Sequence, residues 1–280
     1  MRPLRMIHLL VLIAMLSQAP NAAAITIVTN FIGGSPPANS AGGGNLADIF
    51  NAAAQKWASA YSDSFTILLH YGWAPLGDAA THALLEQGGA ENREIVGIIL
   101  FDNSGAAAFY MDPTPDSNEE YRRLTEEYQD LGGGWINVAR VFSNPSGNAS
   151  GRTDLLTVAL HEIGHALGMS IDNSRFTNES RSGRLTVAGD LPFAGSIIPL
   201  ASNNNGVTSH IDPVEVVYGP LMAGLCGNER RIPSALDILA NAQISGFGGL
   251  NLDSPDVRRS NYTLPARTGR SGTMLRRYVP

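Results

Sequence analysis

The sequence predicts an α+β domain in which strands alternate with helices. Three observations predict this class. Segments 25–31, 65–73, 95–101 and 136–142 are rich in β-branched and aromatic residues and read as strands. Apolar residues at helical spacing interrupt them from Asn45 to Ala60 and again from Asp154 to Gly168. The 280 residues are 44% hydrophobic and 16% charged, enough for a sizeable core and unlike a bundle of membrane helices.

Each element has a local reason. The run Ile25-Thr26-Ile27-Val28-Thr29-Asn30-Phe31 ends in Gly33-Gly34 and Pro36-Pro37, so a strand gives way to a loop. Asn45 then opens a helix whose Leu46, Ile49, Phe50, Ala53, Trp57 and Ala60 share one face. Phe65, Ile67, Leu69, Tyr71 and Trp73 alternate onto one side of a strand. His82 falls in a stretch that reads as helical, and residues 95–101 form a continuous apolar run suited to a buried strand. Residues 106–111, bounded by Gly105 and Asp112-Pro113, predict an edge strand, and 119–131 an exposed helix. The strand at 136–142 is broken by Asn144-Pro145-Ser146-Gly147. Beyond Gly168 the chain is rich in Ser, Asn, Arg and Gly until His210, and a last helix covers 233–244 with Pro233 in its first turn.

The ends read differently from this middle. Arg2 and Arg5, an apolar run over 6–16 and Ala22-Ala23-Ala24 make residues 1–24 a signal peptide. The apolar run is shorter than the about 20 residues a bilayer span needs, so a secreted or periplasmic location with no membrane span after cleavage is expected. Residues 25–250 form one domain, and 251–280 a flexible, Arg-rich tail. The net charge is −6 and Lys56 is the only lysine, which argues against a nucleic-acid partner. Cys226 is the only cysteine, so no internal disulfide can form, and it is expected to be a small buried apolar residue.

Chemistry concentrates in Asp154-Leu155-Leu156-Thr157-Val158-Ala159-Leu160-His161-Glu162-Ile163-Gly164-His165-Ala166-Leu167-Gly168. Residues four apart on a helix lie about 40° apart around its axis, so His161 and His165 project together and can hold one metal ion. Leu156, Leu160, Ile163 and Leu167 fall on the opposite side, so one face packs and the other binds. Neutral imidazole suits Zn2+, and a catalytic zinc takes three protein ligands and keeps one position for a water whose pKa falls to about 7. Glu162, directly after the first histidine, has the reach of a general base without being a ligand.

The pattern H-E-x-x-H-x-x-G resembles that of the metzincin metallopeptidases, in which a histidine three residues after the glycine completes the zinc site. Ile171 stands there in this chain, with Asp172 one residue out of register. Downstream, Ser209-His210-Ile211-Asp212-Pro213 is followed by Gly219-Pro220-Leu221-Met222-Ala223, which looks like the third histidine and the methionine turn of that family. Leishmanolysin-like metzincins carry an insertion before the third histidine, and 169–209 would be its counterpart. The resemblance therefore implies a zincin-like fold over 25–250, a mixed twisted sheet with a backing helix and an active-site helix, with His161, His165 and His210 as zinc ligands, Glu162 as base and Met222 beneath the ion. Asp172, His70, His82 and Glu179 remain alternative third ligands. Leishmanolysins are disulfide-rich and this chain is not, so it is more similar to a simpler bacterial-type secreted relative. Metzincins often place a tyrosine two residues after the methionine; Gly224 occupies that position, and Tyr218 is a substitute.

The implied function is a secreted zinc metalloendopeptidase with protein or peptide substrates, which pair through their backbone with the edge strand at 106–111. The alternative is a secreted binding or matrix protein that keeps the fold around a structural metal with little turnover. Other signals are weaker. Asp112, Asp116 and Glu119 lack the spacing of a calcium loop, which leaves Ca2+ unsupported. Asn148, Asn178 and Asn261 begin glycosylation patterns that matter only in a eukaryotic host.

Overall fold

The structure is a computed structural model that describes residues 24–224, 227–255 and 277–279. The segment expected to be a signal peptide, Cys226 and most of the expected Arg-rich tail, with Asn261, lie outside the described residues. The architecture is mixed α and β. Strand β1 (Thr26–Phe31) leads to helix α1 (Leu46–Ala58), followed by β2 (Thr66–Ala74), β3 (Ala80–Gly88) and β4 (Arg93–Asp102). These strands form one sheet in the order β1-β2-β4-β3, parallel except for β3, which runs antiparallel to β4 at the edge. Asn45 caps α1 by accepting the Asp48 N–H at 2.9 Å, as the sequence predicts. Phe50, from that helix, stacks on Tyr71 with ring centroids 4.1 Å apart.

The short strand β5 (Phe109–Tyr110) pairs in parallel with β8 (Thr153–Asp154). Between them, β6 (Tyr121–Asp130) and β7 (Trp135–Pro145) form an antiparallel hairpin. Helix α2 (Leu155–Ala166) follows directly, then α3 (Ser174–Glu179) and a small antiparallel sheet of β9 (Arg184–Thr186), β10 (Ile197–Asn203) and β11 (Gly206–Ile211). Strand β12 (Arg230–Ile232) joins β7, α4 (Ala235–Ser245) packs on β7, and β13 (Arg277–Val279) pairs with β6. The resulting second sheet has the order β12-β7-β6-β13.

Five sequence expectations give way here. Residues 121–130 are a strand rather than an exposed helix, and Tyr121, Leu124 and Glu127 are buried. His82 lies on β3, not on a helix. In both segments Leu, Glu, Gln or Arg favour helix intrinsically, but pairing with β7 or β4 outweighs a propensity of tenths of a kcal/mol per residue. The strand at 106–111 shrinks to Phe109–Tyr110, which is buried and bonded on both sides, to β8 and to Ala41, so it offers no free edge; the edges of the first sheet are β1 and β3. Pro233 precedes the α4 cap rather than entering its first turn, because Ser234 is the N-cap in a capping box with Asp237. The start of the predicted tail is also tied down: the Asn251 N–H donates to the Ala60 carbonyl at 2.8 Å, and the Arg140 guanidinium donates to the carbonyls of Leu252 and Ser254.

Helix α2 is placed by charge as well as by packing. Its N-cap, Asp154, accepts from the Thr157 N–H at 3.0 Å, and both of its carboxylate oxygens accept from Arg230 of β12 at 3.1 and 2.9 Å. Arg230 also reaches Asp112 at 2.5 Å and stacks its guanidinium over Tyr121, 4.8 Å from the ring centroid. All three charged side chains of this cluster are fully buried. Removing the cation strands two buried carboxylates.

Arg230→Met is expected to lose about 3–5 kcal/mol of unfolding free energy, read from urea denaturation. A second expectation concerns Asp102, at the end of β4. Burial alone would raise its carboxyl, but donors from Leu76 and Ser104 outweigh that and hold it well below its ordinary 3.8. Its contribution is therefore present above about pH 4 and is lost as the pH falls further. Urea midpoints for Asp102→Asn should be lower at neutral pH and flatter than the parent's below pH ~4.

Candidate metal centre

The centre is built on α2 from the inside out. All of its residues are buried, so it is not a helix with one packed and one open face. Leu156, Leu160 and Ile163 enter the core as the periodicity predicts, while the opposite side is covered by other elements. The Trp57 indole N–H donates to the Leu160 carbonyl at 2.8 Å and fixes α2 against α1. Gly164 is required by a close approach: a Cβ there would sit 2.3 Å from Met222 Sδ. The methionine thus packs directly against the turn of helix that separates the two histidines.

The imidazoles of His161, His165 and His210 converge. Nε2 of His165 lies 3.0 Å from Nε2 of His161, which in turn lies 3.2 Å from Nε2 of His210. Ligand atoms from all three fall within 4.8 Å of one another, and this is the only such group among the described residues. The other ring nitrogens of His161 and His165 face backbone carbonyls. Nδ1 of His161 donates to the Leu221 carbonyl at 2.9 Å, and Nδ1 of His165 donates to the Met169 carbonyl. Those bonds place the protons on Nδ1, leaving bare Nε2 lone pairs on His161 and His165 directed into the cluster.

Electrostatics favour the same neutral form. Burial, then the neighbouring His210, pushes the His161 pKa down to about 4. Burial, followed by His161 and His210, holds His165 well below its usual value, and burial also lowers His210. Burial pushes the Glu162 carboxyl up to about 8. Zinc–nitrogen bonds of ~2.0–2.1 Å in a tetrahedral site set the nitrogens ~3.3 Å apart, close to the separations observed here. Neutral imidazoles at that spacing, with the outer nitrogens of His161 and His165 bonded, make a donor set that suits Zn2+.

The structure does not bring the alternative third ligands into this group. Asp172 is exposed and outside it. His70 bonds through Nδ1 to the Asn30 amide at 2.8 Å, and Glu179 takes Arg175 at 3.0 Å and the Gln243 amide at 2.7 Å. The acidic turn holds no calcium-like cluster among the described residues: Asp112 is engaged by Arg230, and Glu119 accepts from the Thr114 hydroxyl at 2.6 Å. His82 binds Glu94 at 2.8 Å with both side chains buried, and its ring lies 6.4 Å from that of His165 at a 22° tilt. This pair was not legible, because His82 meets Glu94 only once β3 and β4 form a hairpin. Gly224, where a tyrosine is common in the resembling family, has φ of 73°, and a Cβ there would approach the His210 ring at 3.1 Å. A side chain at that position would press on His210 itself. Tyr218 is partly exposed, with φ of 65°.

No protein-family model matches this chain, and no curated protein matches it. Zinc content measured by mass spectrometry should fall from about one ion per chain to near none in His210→Ala and hold in Asp172→Ala.

Proposed function

We propose that this chain is a secreted, zinc-dependent metalloendopeptidase that hydrolyses peptide bonds within proteins. The observation that carries the reading is the convergence of three neutral imidazoles on one point, with the buried Glu162 next in sequence to the first of them. Three donors leave a fourth tetrahedral position for solvent, which distinguishes catalytic from structural zinc sites. When bound, zinc supplies Lewis acidity to a water molecule and to the scissile carbonyl. Glu162 takes the proton of the attacking water and delivers it to the leaving amine. Burial raises the proton affinity of this carboxyl, which makes it a stronger base and suits the first half of that transfer.

Peptide substrates are favoured by the free edge of β3. That strand packs against α2, and an exposed strand edge recognises extended backbone through main-chain hydrogen bonds. The edge at β3 replaces 106–111 as the surface for substrate pairing. Secretion belongs to the same reading through Arg2, Arg5, the apolar run at 6–16 and Ala22-Ala23-Ala24. No helix among the described residues is long and apolar enough to cross a membrane.

Glu162→Gln is expected to keep zinc and fold while casein hydrolysis falls by about 10²–10⁴. Full activity in that variant would reject the base assignment. Zinc binding by the parent chain with no hydrolysis of any unfolded protein would favour the binding or matrix alternative.

A further inference from the structure

Helix α4 carries a row of buried polar residues, Ser234, Asp237, Asn241 and Ser245, at intervals of three and four from its cap to its last turn. The rest of the helix is apolar and buried, with Leu236, Ile238, Leu239 and Ile244 in the core. Polar atoms withdrawn from water in this way are stable only where they find partners. Asp237, Asn241 through Oδ1 and Ser245 find theirs in backbone groups around the histidine cluster, while Ser234 bonds to Asp237.

Asp237 Oδ1 accepts the Met222 N–H at 2.9 Å and Oδ2 the Leu221 N–H at 3.3 Å. The Met222 N–H and the Leu221 carbonyl belong to one peptide group, and that carbonyl is the acceptor for His161 Nδ1. A carboxylate on one end of a peptide group makes its carbonyl a stronger acceptor. One helical turn along, Asn241 Oδ1 accepts the Met169 N–H at 3.2 Å, and the Met169 carbonyl receives His165 Nδ1. Below it, the Ser245 hydroxyl donates to the Leu167 carbonyl at 2.5 Å. A single helix therefore grips both backbone segments that orient the α2 histidines.

We propose that Asp237 and Asn241 are positioning residues that fix the ring direction and Nδ1-protonated tautomer of His161 and His165, so that their Nε2 atoms converge before any ion arrives. The consequence for zinc rests on the proposed metal reading; the tautomers do not. Metal-ligating histidines depend on such outer partners, whose loss costs about 10–100-fold in metal affinity.

The test uses the full chain free of metal, with histidine ring nitrogens followed by two-dimensional 1H–15N correlation, and then zinc affinity by chelator competition. Both histidines in the parent should show a protonated Nδ1 and a bare Nε2. Asn241→Leu should release the tautomer of His165 and leave that of His161; Asp237→Asn should do the reverse, because its amide places a donor against donors. Each loss should weaken zinc by about 10–100-fold, and Asn241→Asp, which keeps the acceptor, should restore binding. Ser234→Ala should lower stability without moving either tautomer, separating a merely structural effect. If Asn241→Leu does not fold, Asn241→Ser, whose shorter side chain withdraws the acceptor, carries the same expectation. Unchanged tautomers and unchanged zinc affinity in both loss variants would overturn the proposal. A parent with fixed tautomers and no zinc affinity would sink the metal reading and leave this one standing.

Discussion

Three imidazole nitrogens held within hydrogen-bonding distance, two of them stripped of their protons by carbonyls behind them, form a cluster that gains little from itself. Lone pairs facing lone pairs repel, and burial removes the water that would screen them. Such an arrangement persists only where the surrounding fold over-determines it. Much of the molecule serves that end: Arg230 and Asp154 set the start of α2, Trp57 and Met222 both pack against it at Gly164, and the backbone at Leu221 and Met169 turns the rings. A positive ion is the natural counterpart of the lone pairs, and this preference is the root of the functional reading.

The parts of the fold legible in the sequence are those where local preference and tertiary demand agree. The first strand, α1 with its Asn45 cap, β2, β4, β7 and α2 all combine the right periodicity with the right residues. The segments that misled are those where the two conflict. Residues 121–130 carry Arg, Leu, Glu and Gln, yet hairpin closure with β7 converts them to strand and buries Glu127. Within 169–209, short elements such as Ser174–Glu179 and Arg184–Thr186 are too brief for any periodicity to show.

The centre divides in the same way. His161 and His165 are linked by one turn of helix, so their partnership is visible in the letters alone. His210 arrives on β11, through pairing with β10, and no local pattern announces it; only the likeness to metzincins singled it out. The outer partners were invisible for a stricter reason. Asp237 and Asn241 act on main-chain N–H groups, which every residue but proline possesses, so their targets leave no mark in the sequence.

Trp57 has a consequence of a different kind. Its indole is shut away from solvent, bonded to the residue that precedes the first histidine, and adjacent to Gly164. Trp135, by contrast, is 56% exposed. The protein thus offers an optical gauge once Trp73, buried against Phe101 and Phe109, is replaced by phenylalanine: a buried fluorophore whose emission senses the interior of α2, and a surface fluorophore that senses the bulk.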